Sequence, residues 1–309
     1  MARVLVTRRL PDGGLDPLAG HEVLQREDGV DVGALGEVEA VVCLLTDHID
    51  ARVLDAAPRL RVVGNVAVGY DNVDVAAATA RRVVVCNTPG VLDETTADLA
   101  FALVLAASRL LSEAERDLRG GRWQGWGIGQ YLGQDVYGAT LGLVGYGRIG
   151  QAVARRADGF GMRVLHHCTH DTGEQGCVTS LDALLAEADV VSLHVPLTDG
   201  TRHLIGAREL ALMKPTAVLV NTARGPIVDE EALAVALEEG RIFAAGLDVY
   251  EREPEVHPRL LAAPRTALLP HIGSASVATR TRMARVAAEG VRAVLAGERP
   301  PNVVNPAAL

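Results

Sequence analysis

The run TLGLVGYGRIGQAVARRADGFGMRVLHH, residues 140–167, holds an apolar stretch that breaks at Gly145, a helix-compatible stretch over 151–160, and a second apolar stretch from Arg163. Gly145, Gly147 and Gly150 fall in G-x-G-x-x-G spacing between strand and helix. Each glycine has a physical reason. The first permits a tight turn, the second lets backbone approach a diphosphate, and the third allows close packing of helix on strand. A diphosphate would sit at the helix N-terminus, where unpaired N–H groups and the helix dipole favour an anion, with Arg148 as a further contact. The alternative is a glycine turn without a ligand.

Outward from this unit the same alternation recurs. Residues 3–7, 40–46, 61–65 and 82–86 are short β-branched runs separated by helix-compatible segments such as 51–57. After the glycine turn come further apolar runs in DVVSLHV, AVLVNTA, AAGLDVY and TALLPHI, with an amphipathic segment at 229–238 between two of them. Continuous apolar strands alternating with helices indicate parallel sheets buried on both faces. The expected class is α/β: two Rossmann-like or flavodoxin-like, doubly wound parallel-sheet domains with a cleft between them. Long helices are expected at 95–111 and 276–295, and the proline-rich tail is extended. The second helix is expected to cross back, so that one discontinuous domain, the substrate domain, comprises 1–97 plus 286–309 and the dinucleotide-binding domain 98–285.

Composition limits the classes of function. The chain has 309 residues, 49% hydrophobic and 22% charged, enough for two cores, and a formal net charge of -9. That charge argues against nucleic acid, whose binding depends on clustered Lys and Arg. The first residues, MARVLVT, lack the features of a signal peptide, and the apolar stretch at 99–107 is about half the roughly 20 residues of a membrane span. No membrane partner and a cytoplasmic location are expected. Cys43, Cys86, Cys168 and Cys177 form no C-x-x-C, so they are expected as unpaired core residues with no metal site.

About 20 residues beyond a dinucleotide loop, an Asp or Glu commonly grips the adenosine ribose of NAD. Here Cys168 and Thr169 occupy that place, flanked by His167 and His170, with Asp171 the acid if the register slips. The absent carboxylate leans toward NADP, although no arginine is placed to clamp its phosphate, and NAD stays open.

Three titratable or charged residues follow strand ends, where open α/β sheets bind ligands: Arg224 after LVNTA, Glu253 after GLDVY, and His271 after TALLP. A guanidinium can hold a carboxylate and adjacent carbonyl bidentately. An imidazole beside a carboxylate is favoured in its charged form and suits proton donation. Each residue also has a structural reading: Arg224 as an ion pair with Asp229, Glu253 as a solvated acid, His271 as a buried ring satisfied by backbone.

The segments NVAVGYDNVDV, NTPGVLDETTADLAFALVLAASR, VGYGRIGQAVARRA, ADVVSLHVPLT, MKPTAVLVNTARGPIVDEEALAVAL, AAGLDVYEREP and PHIGSAS, in this order, resemble the D-isomer-specific 2-hydroxyacid dehydrogenases, and within them the glyoxylate and hydroxypyruvate reductases. The resemblance implies reduction of a small 2-oxo acid by NAD(P)H, with Arg224 binding substrate, Glu253 orienting His271, and His271 as acid/base. It implies that Val68 and Gly69 offer N–H groups to the substrate carboxylate. Thr96 and Asp248 would line the nicotinamide end, and Ile149, Pro196, Thr201, Thr222, Ala223 and Gly273 would border the cofactor. A homodimer is implied, in which GRWQGW carries Trp126 toward the neighbour's site; a core or dimer-packing indole is the alternative. Two other functions share these motifs: D-3-phosphoglycerate dehydrogenase, for which no extra basic cluster is evident, and a dinucleotide-binding corepressor.

Overall fold

A computed structural model describes residues 1–170 and 173–309. Two compact units appear, one of Met1–Leu92 with Ser274–Leu309 and one of Asp93–Gly273.

In the first unit, β1 (Arg3–Val6), β2 (Glu22–Gln25), β3 (Ala40–Cys43), β4 (Val62–Asn65) and β5 (Val84–Cys86) form a parallel sheet in the order β2-β1-β3-β4-β5. The three central strands are buried at every residue but Arg3, which is why they read as unbroken apolar runs. β2 lies at the edge with two of its four residues exposed, and its sequence EVLQ lacks that signal. Helix Val277–Leu295 packs Met283, Ala284, Ala287, Ala288 and Val291 onto one sheet face. Its start is capped by Ser276, whose side chain accepts from Thr279 N–H.

The second unit contains β6 (Thr140–Val144), β7 (Arg163–His167), β8 (Cys177–Val178), β9 (Val190–Leu193), β10 (Val218–Asn221), β11 (Ala244–Leu247) and β12 (Thr266–Leu268). All pair in parallel, in the order β12-β11-β10-β9-β6-β7-β8. The order reverses between β6 and β9. At such a switch point the loops leaving the strands' C-terminal ends diverge and open a crevice for ligand. Helix Asp93–Ser108 covers one face together with helix Arg148–Asp158, burying Ala97, Ala100, Leu103 and Val104. Leu184, Leu210, Leu233 and Leu237 fill the opposite face.

The boundaries differ from those expected. Residues 93–97 open a helix that packs within the second unit, and 274–285 belong with the first, so the division falls at Leu92/Asp93 and Gly273/Ser274. The cysteines require a second correction. Cys43 and Cys86 are free and buried, but Cys168 and Cys177 are joined by a disulfide, with Cα atoms 5.7 Å apart. No C-x-x-C marks them because the pairing arises across two adjacent strands.

Candidate functional site

The second unit gathers most of the expected residues at the C-terminal ends of β6, β9, β10, β11 and β12. Gly145 ends β6 at φ 103°, and a Cβ there would lie 2.6 Å from the carbonyl of His194, which follows β9. Gly150 presses on the same turn, since its Cβ would fall 2.2 Å from the Gly145 carbonyl oxygen. Only glycine fits this crossing of helix and strand. Gly147 caps helix Arg148–Asp158 with no side-chain acceptor, and a Cβ on it would meet nothing within 4 Å. The helix start therefore leaves its amide N–H groups open to an anion. Ile149 is half-buried against the core below, whereas Arg148 is exposed and faces Asp93 at 3.6 Å.

Other cofactor candidates border this edge. Thr201 Oγ1 donates to the Pro196 carbonyl at 2.6 Å, closing the loop after β9. Thr222 Oγ1 is buried with no hydrogen-bond partner among the described residues. Ala223 N–H donates to Asn221 Oδ1 at 3.0 Å, and Asn221 Nδ2 donates to the Arg224 carbonyl at 2.9 Å. The uncapped helix, the open side of Gly147 and the unpaired Thr222 hydroxyl together fit a dinucleotide. Cys168 and Thr169 follow β7 as expected, Cys168 in its disulfide and Thr169 Oγ1 3.3 Å from His170 Nδ1. Asp171 lies outside the described residues.

His271 and Glu253 meet: Nδ1 lies 2.7 Å from Oε2, although the two are 18 positions apart in the chain. Glu253 Oε1 accepts from Tyr250 N–H at 3.0 Å. An ionised carboxylate only accepts, so Nδ1 carries the proton in this contact and Nε2 is the ring's other working nitrogen. The backbone of His271 is held at φ 52°. Three successive N–H groups secure it: His271 to the Asp248 carbonyl at 2.8 Å, and Ile272 and Gly273 to the two Asp248 carboxylate oxygens at 2.7 Å each. Burial pushes the Asp248 carboxyl up, while those two amides oppose the shift. Thr96 Oγ1 donates to the Gly273 carbonyl at 3.3 Å, so Thr96, Asp248 and Gly273 form one cluster.

Burial works against the charge on Glu253, but His271, the Tyr250 amide and the Arg224 charge outweigh it and hold the carboxyl below its usual range. The sign for stability follows from linkage. A carboxyl ionising at lower pH in the fold stabilises the fold fully above its unfolded value of about 4.5, and this contribution is lost as pH falls through the lower folded value. Glu253→Gln should therefore destabilise at neutral pH and lose less stability than wild type on acidification. Urea midpoints across that range measure it, and parallel curves would refute the coupling.

Arg224 follows β10, and its Nη1 donates to the Ala223 carbonyl at 2.8 Å. Asp229, its alternative partner from sequence, caps helix Glu230–Glu238 by accepting from Ala232 N–H. The next residue, Gly225, escaped notice in the sequence: a Cβ there would lie 1.8 Å from the Tyr250 carbonyl carbon, so backbone abuts backbone between the β10 and β11 turns. Asn221 was also missed, although Asn ahead of a turn commonly bonds its own backbone two residues on. His194, pushed down to about 4 by burial, stays neutral beside the glycine turn.

Val68 and Gly69 belong to the first unit, in the loop after β4. Their carbonyls accept from Asn87 and Asn65 at 2.8 and 2.9 Å, which fixes the loop's course. Trp126 is not a core indole in this chain: it is 80% exposed, in a segment that also exposes Trp123, Ile128 and Leu132.

Residues 101–273 match the model of the D-isomer specific 2-hydroxyacid dehydrogenase NAD binding domain. Over 98% of its length the chain is 51% identical to 96% of a glyoxylate reductase of Korarchaeum cryptofilum. The fold is similar to a crystal structure from Thermus thermophilus, with TM-score 0.92 and 47% identity over 98% of this chain and 99% of that one. It is also similar to an NADPH-dependent glyoxylate/hydroxypyruvate reductase of Sinorhizobium meliloti in complex with NADP and malonate, with TM-score 0.89 and 37% identity over 98% and 96%.

Proposed function

The chain belongs to the D-isomer specific 2-hydroxyacid dehydrogenase family, and on that premise we propose that it reduces glyoxylate or hydroxypyruvate to the 2-hydroxy acid, the D isomer where chirality arises, with NADPH preferred. The observation that carries this reading is the His271–Glu253 hydrogen bond, held in the unit that also presents the glycine turn and uncapped helix.

Gly145, Gly147, Gly150 and the N-terminus of helix Arg148–Asp158 would hold the dinucleotide's diphosphate, with Thr222 and the cluster of Thr96, Asp248 and Gly273 toward its reactive end. When bound, the cofactor supplies a hydride to the carbonyl carbon. Arg224 orients the substrate by pairing with its carboxylate and polarising the adjacent carbonyl. His271 delivers the proton from Nε2 to the carbonyl oxygen, converting ketone or aldehyde to hydroxyl. Glu253, through its hydrogen bond to Nδ1, holds the ring in one orientation with Nε2 free for the proton transfer. The lean toward NADPH rests on Cys168 and Thr169 standing, in the sequence, where an NAD-gripping carboxylate would be. A homodimer would cover the exposed apolar side chains around Trp126.

The direct test is steady-state oxidation of NADPH and NADH with glyoxylate, hydroxypyruvate and phosphohydroxypyruvate. Turnover of the first two, with lower KM for NADPH, is the expected result. Preference for the phosphorylated acid would replace it with the phosphoglycerate dehydrogenase reading, and dinucleotide binding without turnover would favour the corepressor one. Arg224→Ala should raise KM for glyoxylate and lower kcat, each by roughly tenfold, if a bidentate charge-assisted contact is lost. Unchanged kinetics with both substrates would remove Arg224 from the role.

A further inference from the structure

The geometry points to a thiol–disulfide site, Cys168–Cys177, that sets the affinity of the glycine turn for the adenosine half of the dinucleotide; this deepens, and rests on, the cofactor-binding reading above. Cys168 directly follows β7 and Cys177 opens β8. Along the two strands His166 pairs with Cys177 and His167 with Val178, and Cys168 N–H donates to the Val178 carbonyl at 3.0 Å. Their Cα separation of 5.7 Å lies in the usual disulfide range. β8 is a two-residue edge strand, so few backbone bonds hold it against β7. The crosslink closes the intervening residues into a ring and secures that edge.

The site is joined to the glycine turn by a ring contact. Tyr146, between Gly145 and Gly147, stacks on His166 with centroids 3.8 Å apart and planes 12° apart. His166 in turn donates its N–H to the Gly176 carbonyl at 2.7 Å, one residue before Cys177. A change at the sulfurs therefore acts on both the turn and the ribose-facing positions Cys168, Thr169 and His170. The other two thiols are unsuited to exchange. Both are buried, and burial pushes Cys86 up to about 12 and Cys43 up further. Cys177 is only partly buried, whereas Cys168 is buried, so Cys177 is the sulfur that an external thiol or disulfide reaches.

The exchange balances with a small-molecule disulfide, RSSR, as oxidant. The Cys177 thiolate attacks one sulfur, forming a mixed disulfide and releasing one RS⁻. The Cys168 thiolate then displaces the second, forming the Cys168–Cys177 bond. In sum two protein thiols lose two electrons and two protons, and RSSR becomes two RSH. The crosslinked form is the tighter binder because β8 is already secured on β7, whereas in the dithiol form that ordering is taken from the binding free energy.

A metal site is the competing use of the same atoms. His166, Cys168 and Cys177 each place a ligand atom within 4.8 Å of the others, and His166 Nε2 is buried without a hydrogen-bond partner among the described residues.

The test uses the full chain, oxidised with glutathione disulfide or reduced with a phosphine after chelation of metals, with accessible thiols counted in each state. Calorimetric titration with NADPH, NADH and reduced nicotinamide mononucleotide follows. The expected result is at least one accessible thiol, that of Cys177, gained on reduction and at least about threefold weaker binding of both dinucleotides, with the mononucleotide, which lacks the adenosine half, unaffected. Cys177→Ser should show the weaker affinity under both treatments. Equal affinity of the two forms, or a response of Cys177→Ser to oxidant, would overturn the proposal while leaving the reductase reading intact. So would stoichiometric zinc uptake by the reduced chain that masks both thiols and survives oxidant. Failure of both forms to bind NADPH and NADH would overturn the cofactor reading and this inference together.

Discussion

His271→Gln is expected to lower turnover with glyoxylate by about a hundredfold or more, the range of a lost general acid, while leaving the NADPH Kd nearly unchanged. Glutamine keeps much of the ring's bulk and polarity, but its amide does not titrate and has no proton to give. The backbone should survive the change, because Asp248 binds the N–H groups of residues 271, 272 and 273 whatever side chain residue 271 carries. The glycine turn lies at the end of another strand, and the imidazole's hydrogen bond goes to Glu253 instead. His271→Asn serves as a backbone control. Asn tolerates left-handed φ better than Gln, so an equal loss in both variants assigns the effect to chemistry rather than to strain at φ 52°. Steady-state kcat and a direct NADPH titration together measure it. Turnover within about threefold of wild type would remove the ring from proton transfer.

Gly225→Ala is the second large effect, and it begins in packing. The added methyl would stand 1.8 Å from the Tyr250 carbonyl carbon, 1.9 Å from its oxygen and 2.4 Å from Glu251 N. All three are backbone atoms, so no rotamer change relieves the overlap. One turn must move away from the other. On one side this shifts Arg224, whose carbonyl is held by Asn221 Nδ2; on the other it shifts Tyr250, whose N–H orients Glu253. The expected cost is about 3 kcal/mol of stability, at the upper end for overpacking a close contact. The fraction that folds should lose kcat/KM, because guanidinium and carboxylate no longer share their positions. Urea unfolding and kinetics on the same preparation test both parts, and a wild-type midpoint with wild-type kcat/KM would refute them.

Local patterns were sufficient for much of this protein. β3 and β4 are buried at every residue, so each reads as an unbroken apolar run whatever its neighbours are. The glycine turn is likewise legible, since its spacing reflects constraints within one strand, one turn and one helix. Arg224, Glu253 and His271 stood out singly in the chain. No interaction visible in the sequence separates these roles from their structural alternatives; only the resemblance does. β2 and β8 were missed for a physical reason: both are short edge strands with little continuous apolar surface.

Tertiary structure alone decided which residues meet. Sequence separations of 18 from Glu253 to His271, 25 from Asp248 to Gly273 and nine from Cys168 to Cys177 carry no signal of proximity. The first two close because the adjacent parallel strands β11 and β12 deliver their C-terminal ends to one edge, whatever length of chain intervenes, and the third because the register of β7 and β8 sets Cys177 beside His166. The same holds for Gly225, whose missing side chain matters only once the turn after β11 is packed against it. Burial pattern and turn chemistry are properties of a segment and can be read along the chain, whereas contact across strands is a property of the sheet and exists only when it has formed.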